Sequence, residues 1–243
     1  VTIALRAVDL QQRFDGRVLF RHVSFEIMAG EVFAILGGSG SGKSTLMKQL
    51  VGLLPVTEGR VELFGQTVVG GSGVGRRIGV MFQSGALFGS MTLLENVMLP
   101  LEVFSTLPPA AREAVAKVKL GLVGLADAAE RHPSECSGGM TKRAAIARAL
   151  ALDPAILFLD EPSAGLDPAT SAGLDRLILD LRRDLGATFV LVTHELPSVL
   201  AIADHCIMLD SAAQGVIAAG DPRRLHEEAT DPTVRGFFRR EAA

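Results

Sequence analysis

Val32-Phe33-Ala34-Ile35-Leu36, followed at once by Gly37-Gly38-Ser39-Gly40-Ser41-Gly42-Lys43-Ser44, is the stretch on which the fold turns. Five consecutive apolar residues predict a strand buried on both faces, and Ser44–Leu54 behind them has helical character. The eight residues between match GxxxxGK[ST] at every fixed position, in the strand-to-helix setting that this pattern requires. Glycines let backbone N–H groups close around phosphate oxygens, and the helix N-terminus adds partial positive charge. Lys43 brings a point charge for β- and γ-phosphates, and Ser44 a hydroxyl for Mg²⁺. With Thr45 in the first helical turn, Gly37, Gly38, Ser39, Gly40, Ser41, Gly42, Lys43 and Ser44 form the candidate cradle.

Outward from this loop, the first thirty residues read as two or three strands, with Val18, Phe20, Val23, Phe25 and Ile27 alternating. Pro55–Gly59 reads as a turn, Val61–Phe64 as a short strand and Val69–Gly75 as a flexible loop whose glycines miss the GxGxxG spacing. Ile78–Phe82 is another strand. From Gln83 to about Leu152 the pattern is helical, punctuated by Pro100, Pro108, Pro109 and Pro133. Ile156–Leu159 and Phe189–Val192 then read as strands, Leu174–Leu185 and Leu196–Ala203 as helices. Strands alternating with helices predict a parallel sheet in an α/β core, with the long helical stretch inserted between two halves. The boundaries expected are 1–82 and 153–222 for the core, 83–152 for the insertion and 223–243 for a tail.

Composition agrees. The 243 residues suffice for a sizeable core, and 48% are hydrophobic before the 26 glycines are counted. The longest apolar stretches fall far short of the roughly 18–20 residues that cross a bilayer. Arg6, Asp9, Arg13 and Asp15 interrupt any apolar start, so no signal peptide is expected. Cys136 and Cys206 are far apart and form no CxxC pair, which fits a reducing, cytoplasmic compartment. A formal charge of −3 argues against a nucleic-acid partner.

Ile156-Leu157-Phe158-Leu159 delivers Asp160 and Glu161 to a strand's C-terminal edge, where open α/β sheets bind ligands. Asp160 suits a water-mediated hold on Mg²⁺, and Glu161 the orientation and deprotonation of an attacking water. A solvated strand end is the plainer reading of such a pair. His194 lies at another strand end; His194-Glu195 does not begin HExxH, because Ser198 fills the last position and Pro197 is read as a helix breaker. Cys206 beside His205 reads as core.

Cys136-Ser137-Gly138-Gly139-Met140, ahead of a helix and shortly before Asp160, resembles the LSGGQ signature of ABC ATPases. On its own, Ser-Gly-Gly before a helix reads as an N-cap. The flanking blocks are similar to that family in the family's order: Gln83 as Q-loop, Ser163-Ala164-Gly165-Leu166-Asp167 as D-loop, His194 as switch histidine. The family places Leu where Cys136 stands and Gln where Met140 stands. The resemblance implies an α/β fold: a P-loop NTPase core, with a RecA-like parallel sheet and N-terminal antiparallel strands, plus an inserted α-helical subdomain. It implies ATP and Mg²⁺ as ligands, with Ser44, Gln83 and Asp160 on the metal. Catalysis falls to Glu161, His194, Gln83 and Lys43, and nucleotide contacts extend to Ser137, Gly138, Gly139 and Asp167. Phe14 stands where the family stacks an aromatic on adenine; a core phenylalanine is the rival reading. ATP would join two copies head to tail.

Met81–Phe88 and Ser137–Ala145 resemble ATPases of the Mla type, in which Met at position 140 is usual. That likeness implies phospholipid transport between bacterial membranes, with permease subunits, an MCE-domain protein and a small STAS-domain regulator. The chain would then sit on the cytoplasmic face of the inner membrane, held through the permease. The alternatives are a small-solute importer, a solvent exporter or a soluble non-transport ABC protein. Asp231–Phe238 resembles the group's C-terminal segment, or else is a frayed amphipathic end. Leu87, Phe88, Met91, Leu93, Leu94 and Val97 are the candidate apolar face for a permease, or the insertion's own core.

Overall fold

The computed structural model describes residues 2–68 and 77–239; the glycine-rich loop expected at Val69–Gly75 lies outside the described residues. Two compact units share the chain: the described residues of Val1–Val74 with Thr188–Ala243, and those of Gly75–Ala187.

The first unit opens with a long antiparallel hairpin, β1 (Ile3–Phe14) and β2 (Arg17–Met28). Asp15 and Gly16 join them at φ 50° and 78°. Positive φ at both central residues is the two-residue hairpin turn that suits strand twist, and Asp-Gly is its preferred sequence. β3 (Val32–Gly37) is buried at all six positions. α1 (Lys43–Leu50) follows the glycine loop and ends at Gly52, φ 75°. β4 (Glu58–Leu63) begins inside the expected turn; it pairs with β1, and the short β5 (Gln66–Thr67) pairs with β4, giving a sheet in the order β2-β1-β4-β5.

In the second unit, β6 (Ile78–Met81) runs parallel to the fully buried β7 (Ile156–Asp160), with Ile78 opposite Ile156 and Met81 opposite Leu159. Between them in sequence come α2 (Leu93–Phe104), α3 (Pro109–Leu122) and α4 (Gly138–Ala149). Each start is encoded. Thr92 and Glu95 exchange the two hydrogen bonds of a capping box, and Pro109 occupies the first turn of α3. α5 (Pro168–Leu185) begins well before the expected Leu174, because Asp167 caps it and Pro168 presets its first turn; Gly186, φ 64°, ends it.

The chain returns to the first unit with β8 (Thr188–Val192), α6 (Leu196–Ile202), β9 (His205–Asp210), β10 (Gly215–Gly220), α7 (Pro222–Glu228) and α8 (Pro232–Arg239). β3 lies between β8 and β9, parallel to both, and β10 closes antiparallel on β9. Pro197 stands in the first turn of α6 and starts it; the expected helix break is absent. In α8, Val234 and Phe238 are buried, so this segment is packed rather than frayed.

Candidate functional site

The first unit carries the glycine loop at the C-terminal end of β3. A Cβ on Gly37 (φ 144°) would lie 2.3 Å from the Leu209 carbonyl oxygen and 2.6 Å from Ser41 Oγ; one on Gly42 (φ 98°) would meet the Phe20 ring at 2.9 Å. No other residue fits either place. Gly42 caps α1 without a side chain, so the first N–H groups of the helix lack an intrahelical partner. Lys43 Nζ donates to the carbonyls of Gly37 at 2.8 Å and Gly38 at 3.0 Å, folding the ammonium over its own loop. Ser41 Oγ is buried without a hydrogen-bond partner. Leu19, Gly40, Gly42, Lys43, Ser44 and Thr45 line an open hollow of about 230 Å³. Uncapped donors, a lysine ammonium resting on neutral carbonyls and an unused buried hydroxyl fit an anionic, phosphate-bearing ligand.

Phe14 sits beside the hairpin turn with 48% of its surface exposed, which removes the core reading. His194, in the β8–α6 connection, is exposed, with Nε2 3.7 Å from Glu195 Oε1. Cys206 is buried in β9, where burial pushes its thiol up to about 12.

The second unit carries the remaining candidates. Asp160 ends β7 and Glu161 follows it, both buried. Glu161 has φ 48°, a left-handed backbone that a glutamate adopts at a cost of about 1–3 kcal/mol. Such strain is concentrated at sites where a side chain is held for use. Gln83 lies two residues beyond β6 with its side chain exposed.

Ser137 is the N-cap of α4: its Oγ accepts from Met140 N at 3.3 Å. The helix therefore starts inside the Ser-Gly-Gly turn, at Gly138, and not behind Met140 as expected. A Cβ on Gly138 would lie 3.4 Å from Leu166, and one on Gly139 only 2.7 Å from Thr170 Cγ2, so this turn packs against the start of α5. Asp167 there accepts from Ala169 N and Thr170 N at 3.0 Å each and from the Thr170 hydroxyl. The hydroxyl bond, with the backbone N–H bonds, holds its carboxyl below the usual range. Ser137, Gly139, Met140, Arg131, Arg143 and Thr170 border a hollow of about 370 Å³. Burial raises the pKa of Cys136 beside it.

The candidate permease face needs correction. Leu93, Leu94 and Val97 are buried, because the helical period turns them into the unit's own core. Phe88, Val103, Phe104 and Leu107 are the large apolar residues exposed near that segment. Buried Asn96 fixes the loop before α2: Oδ1 accepts from Phe88 N at 2.8 Å, and Nδ2 donates to Phe88 O and Thr92 O at 3.1 and 2.9 Å.

Sequence reading missed two cations of α4. Arg148 donates to the carbonyls of Gly85 (2.8 Å) and Ala86 (2.6 Å). Lys142 donates to those of Gln83 (2.5 Å) and Glu161 (3.0 Å). No group of His, Cys, Asp and Glu among the described residues is arranged to chelate a metal by itself.

The model of the ABC transporter family matches residues 20–164. The chain is 40% identical over 235 residues to the intermembrane phospholipid transport system ATP-binding protein MlaF of Escherichia coli K12, covering 95% of this chain and 86% of that protein. This chain belongs to the ABC transporter family. It is also 37% identical over 241 residues to the probable ribonucleotide transport ATP-binding protein mkl of Mycobacterium tuberculosis H37Rv, covering 97% of this chain and 66% of that one. Among solved structures, cbiO1 from Clostridium perfringens superposes with a TM-score of 0.86 at 28% identity, over 94% of this chain and 92% of that one. The cassette MJ0796, a dimeric post-hydrolysis state bound to ADP and Pi, gives 0.78 at 29% identity, over 90% and 99%. The fold is thus the α/β fold of an ABC ATPase cassette, with no helix among the described residues long and apolar enough to cross a membrane.

Proposed function

We propose that this cassette binds and hydrolyses ATP to drive phospholipid transport between bacterial membranes, as a homodimer on the cytoplasmic face of the inner membrane. It would work with permease subunits, an MCE-domain protein and a small STAS-domain regulator, and without nucleic acid. Residues 1–82 and 153–222 serve as the nucleotide-binding core, 83–152 as the signature subdomain and 223–243 as a tail. The observation that carries the motor reading is the Gly37–Thr45 cradle, whose donors, lysine and buried serine suit a triphosphate. The lipid assignment rests on the 40% identity to MlaF across nearly the whole chain. A second reading, a small-solute transporter, draws on the likeness to the mkl protein.

Lys43 exchanges its two neutral carbonyl acceptors for phosphate oxygens, a gain because hydrogen bonds between charged groups are stronger. Phe14 offers an exposed ring face to the adenine. Ser44, Gln83 and Asp160 supply the hard oxygen donors that Mg²⁺ prefers. Held by these residues, with Asp160 acting through a water, Mg²⁺ would neutralise phosphate charge. Glu161 orients and deprotonates the attacking water, and His194 and Gln83 respond to the γ-phosphate. Ser137, Gly138 and Gly139 of one copy address the γ-phosphate held by the other, with the N–H groups of Gly138 and Gly139 at the start of α4 as donors, and Asp167 belongs to the same composite site.

Two variants test this. Lys43→Ala should abolish ATP binding. Glu161→Gln should keep binding but lower turnover by about 10²–10⁴-fold, the usual worth of a general base. Turnover like that of the unaltered protein in Glu161→Gln would remove the general-base assignment.

A further inference from the structure

A lysine in the second turn of a helix is ordinarily solvated. Lys142 is only 8% exposed, and its ammonium lies between two loops of the second unit that are 78 positions apart in sequence. One donor direction meets Gln83 O at 2.5 Å and another meets Glu161 O at 3.0 Å. The Glu161 carbonyl already accepts from Ala164 N at 3.2 Å, closing the turn that follows β7. Lys142 adds a second bond to the same oxygen, at the residue whose φ of 48° needs support from its surroundings.

We propose that Lys142 is a positioning residue for ATP hydrolysis: from the first turns of the signature helix it fixes the backbones of Gln83 and Glu161, so that both side chains are aimed by one cation. The inference rests on the reading of Glu161 and Gln83 given above. Both bonds go to main-chain oxygens, so neither side chain is occupied by the contact. The charge itself is retained at a cost, since burial lowers the lysine's pKa while the carboxylates of Glu161 and Asp160 oppose that shift. A neutral side chain would be the easier occupant of this place, unless the donors are needed. Arg148, two turns along the same helix, holds Gly85 O and Ala86 O, so the stretch from Gln83 to Ala86 is anchored to α4 at both ends. The anchored backbone carries positive φ at Gly85 (73°) and Ala86 (48°), and the two bonds from Arg148 help offset the cost of that conformation at the alanine.

Reading this contact as mere carbonyl satisfaction makes a different forecast. Loss of a purely structural bond lowers stability but leaves the turnover of each folded site alone. Loss of a positioning contact lowers kcat without a matching change in KM, and small misplacements of reacting groups cost up to about 10²-fold. The experiment compares the full-length protein with Lys142→Met, Lys142→Arg and Lys142→Gln, measuring kcat and KM for ATP and normalising to sites titrated with a non-hydrolysable ATP analogue. Lys142→Met should lose at least about tenfold in kcat with KM within roughly threefold. Lys142→Arg, which keeps the charge and the donors, should recover most of that loss, and Lys142→Gln should fall between them. If Lys142→Met fails to fold, the order of Arg above Gln decides on the same criterion. A kcat per site in Lys142→Met or Lys142→Gln within twofold of the unaltered protein overturns the proposal, as does an arginine variant no better than the uncharged ones. Absence of Lys43-dependent hydrolysis in the unaltered protein would instead overturn the ATPase reading beneath it.

Discussion

Gly139→Ala tests how tightly the signature turn is seated. Gly139 lies inside α4, where alanine is ordinarily preferred over glycine by about 0.5–1 kcal/mol. The added methyl, however, would stand 2.7 Å from Thr170 Cγ2, about 1 Å inside a comfortable carbon–carbon contact. Threonine is stiff at χ1, and this one is locked further by its hydroxyl bond to Asp167. Overpacking of this kind costs about 1–3 kcal/mol, so the net effect should be a destabilisation of about 1–2 kcal/mol. Thr170→Ser deletes the offending methyl while keeping the hydroxyl on Asp167. In that background Gly139→Ala should become neutral or stabilising, a coupling of about 1–3 kcal/mol between two residues 31 positions apart. Urea unfolding of the four proteins, compared at equal slope, measures it. A cost that is the same in both backgrounds, within about 0.5 kcal/mol, would refute the packing argument.

The same threonine governs Asp167. Thr170→Val removes the largest cause of its depressed pKa, so the carboxyl should titrate closer to 3.8 in a carboxyl-carbon NMR titration. With the folded pKa depressed, the carboxylate's contribution to stability is present above 3.8 and is lost as pH falls through the lower folded value; the valine variant should lose less on acidification, and an unchanged titration would count against the hydroxyl bond. At the candidate permease face, Phe104→Glu should lower transport by at least about tenfold while sparing basal ATPase, because a carboxylate would be desolvated there; unchanged transport in reconstituted vesicles would remove that surface from the account.

Much of this was legible where local chemistry leaves one solution. Val32–Leu36 had to be a buried strand and the glycines of Gly37–Ser44 had to make a tight strand-to-helix turn, whereas the Asp15-Gly16 hairpin turn went unread between its two strands. Other features depend on tertiary placement. Leu93, Leu94 and Val97 have a helical period, but a period does not say whether the stripe meets a partner or its own unit. The pair β9–β10 is easily missed because Gly215–Gly220 is rich in small residues and lacks a clear alternation. The early start of α5 was announced by Asp167-Pro168, a signal read first for its place in a family motif. Lys142 gave no sign at all: a lysine among Thr141, Arg143 and small residues looks solvated, and only the folded backbone reveals two carbonyls converging on it.

In the ATP-bound dimer proposed above, the lysine loop of one copy and the Ser-Gly-Gly turn of another should close on one triphosphate. Cys136, adjacent to Ser137 and partly exposed, is a built-in reporter, whereas Cys206 is buried and silent. In a Glu161→Gln background carrying Ser39→Cys, a short bismaleimide should join position 39 of one copy to Cys136 of its twin when Mg-ATP is present, yielding a covalent dimer by gel. Without nucleotide, or with Lys43→Ala added, the dimer should vanish. A yield that does not respond to ATP, in the protein held with its permease subunits, would contradict the account.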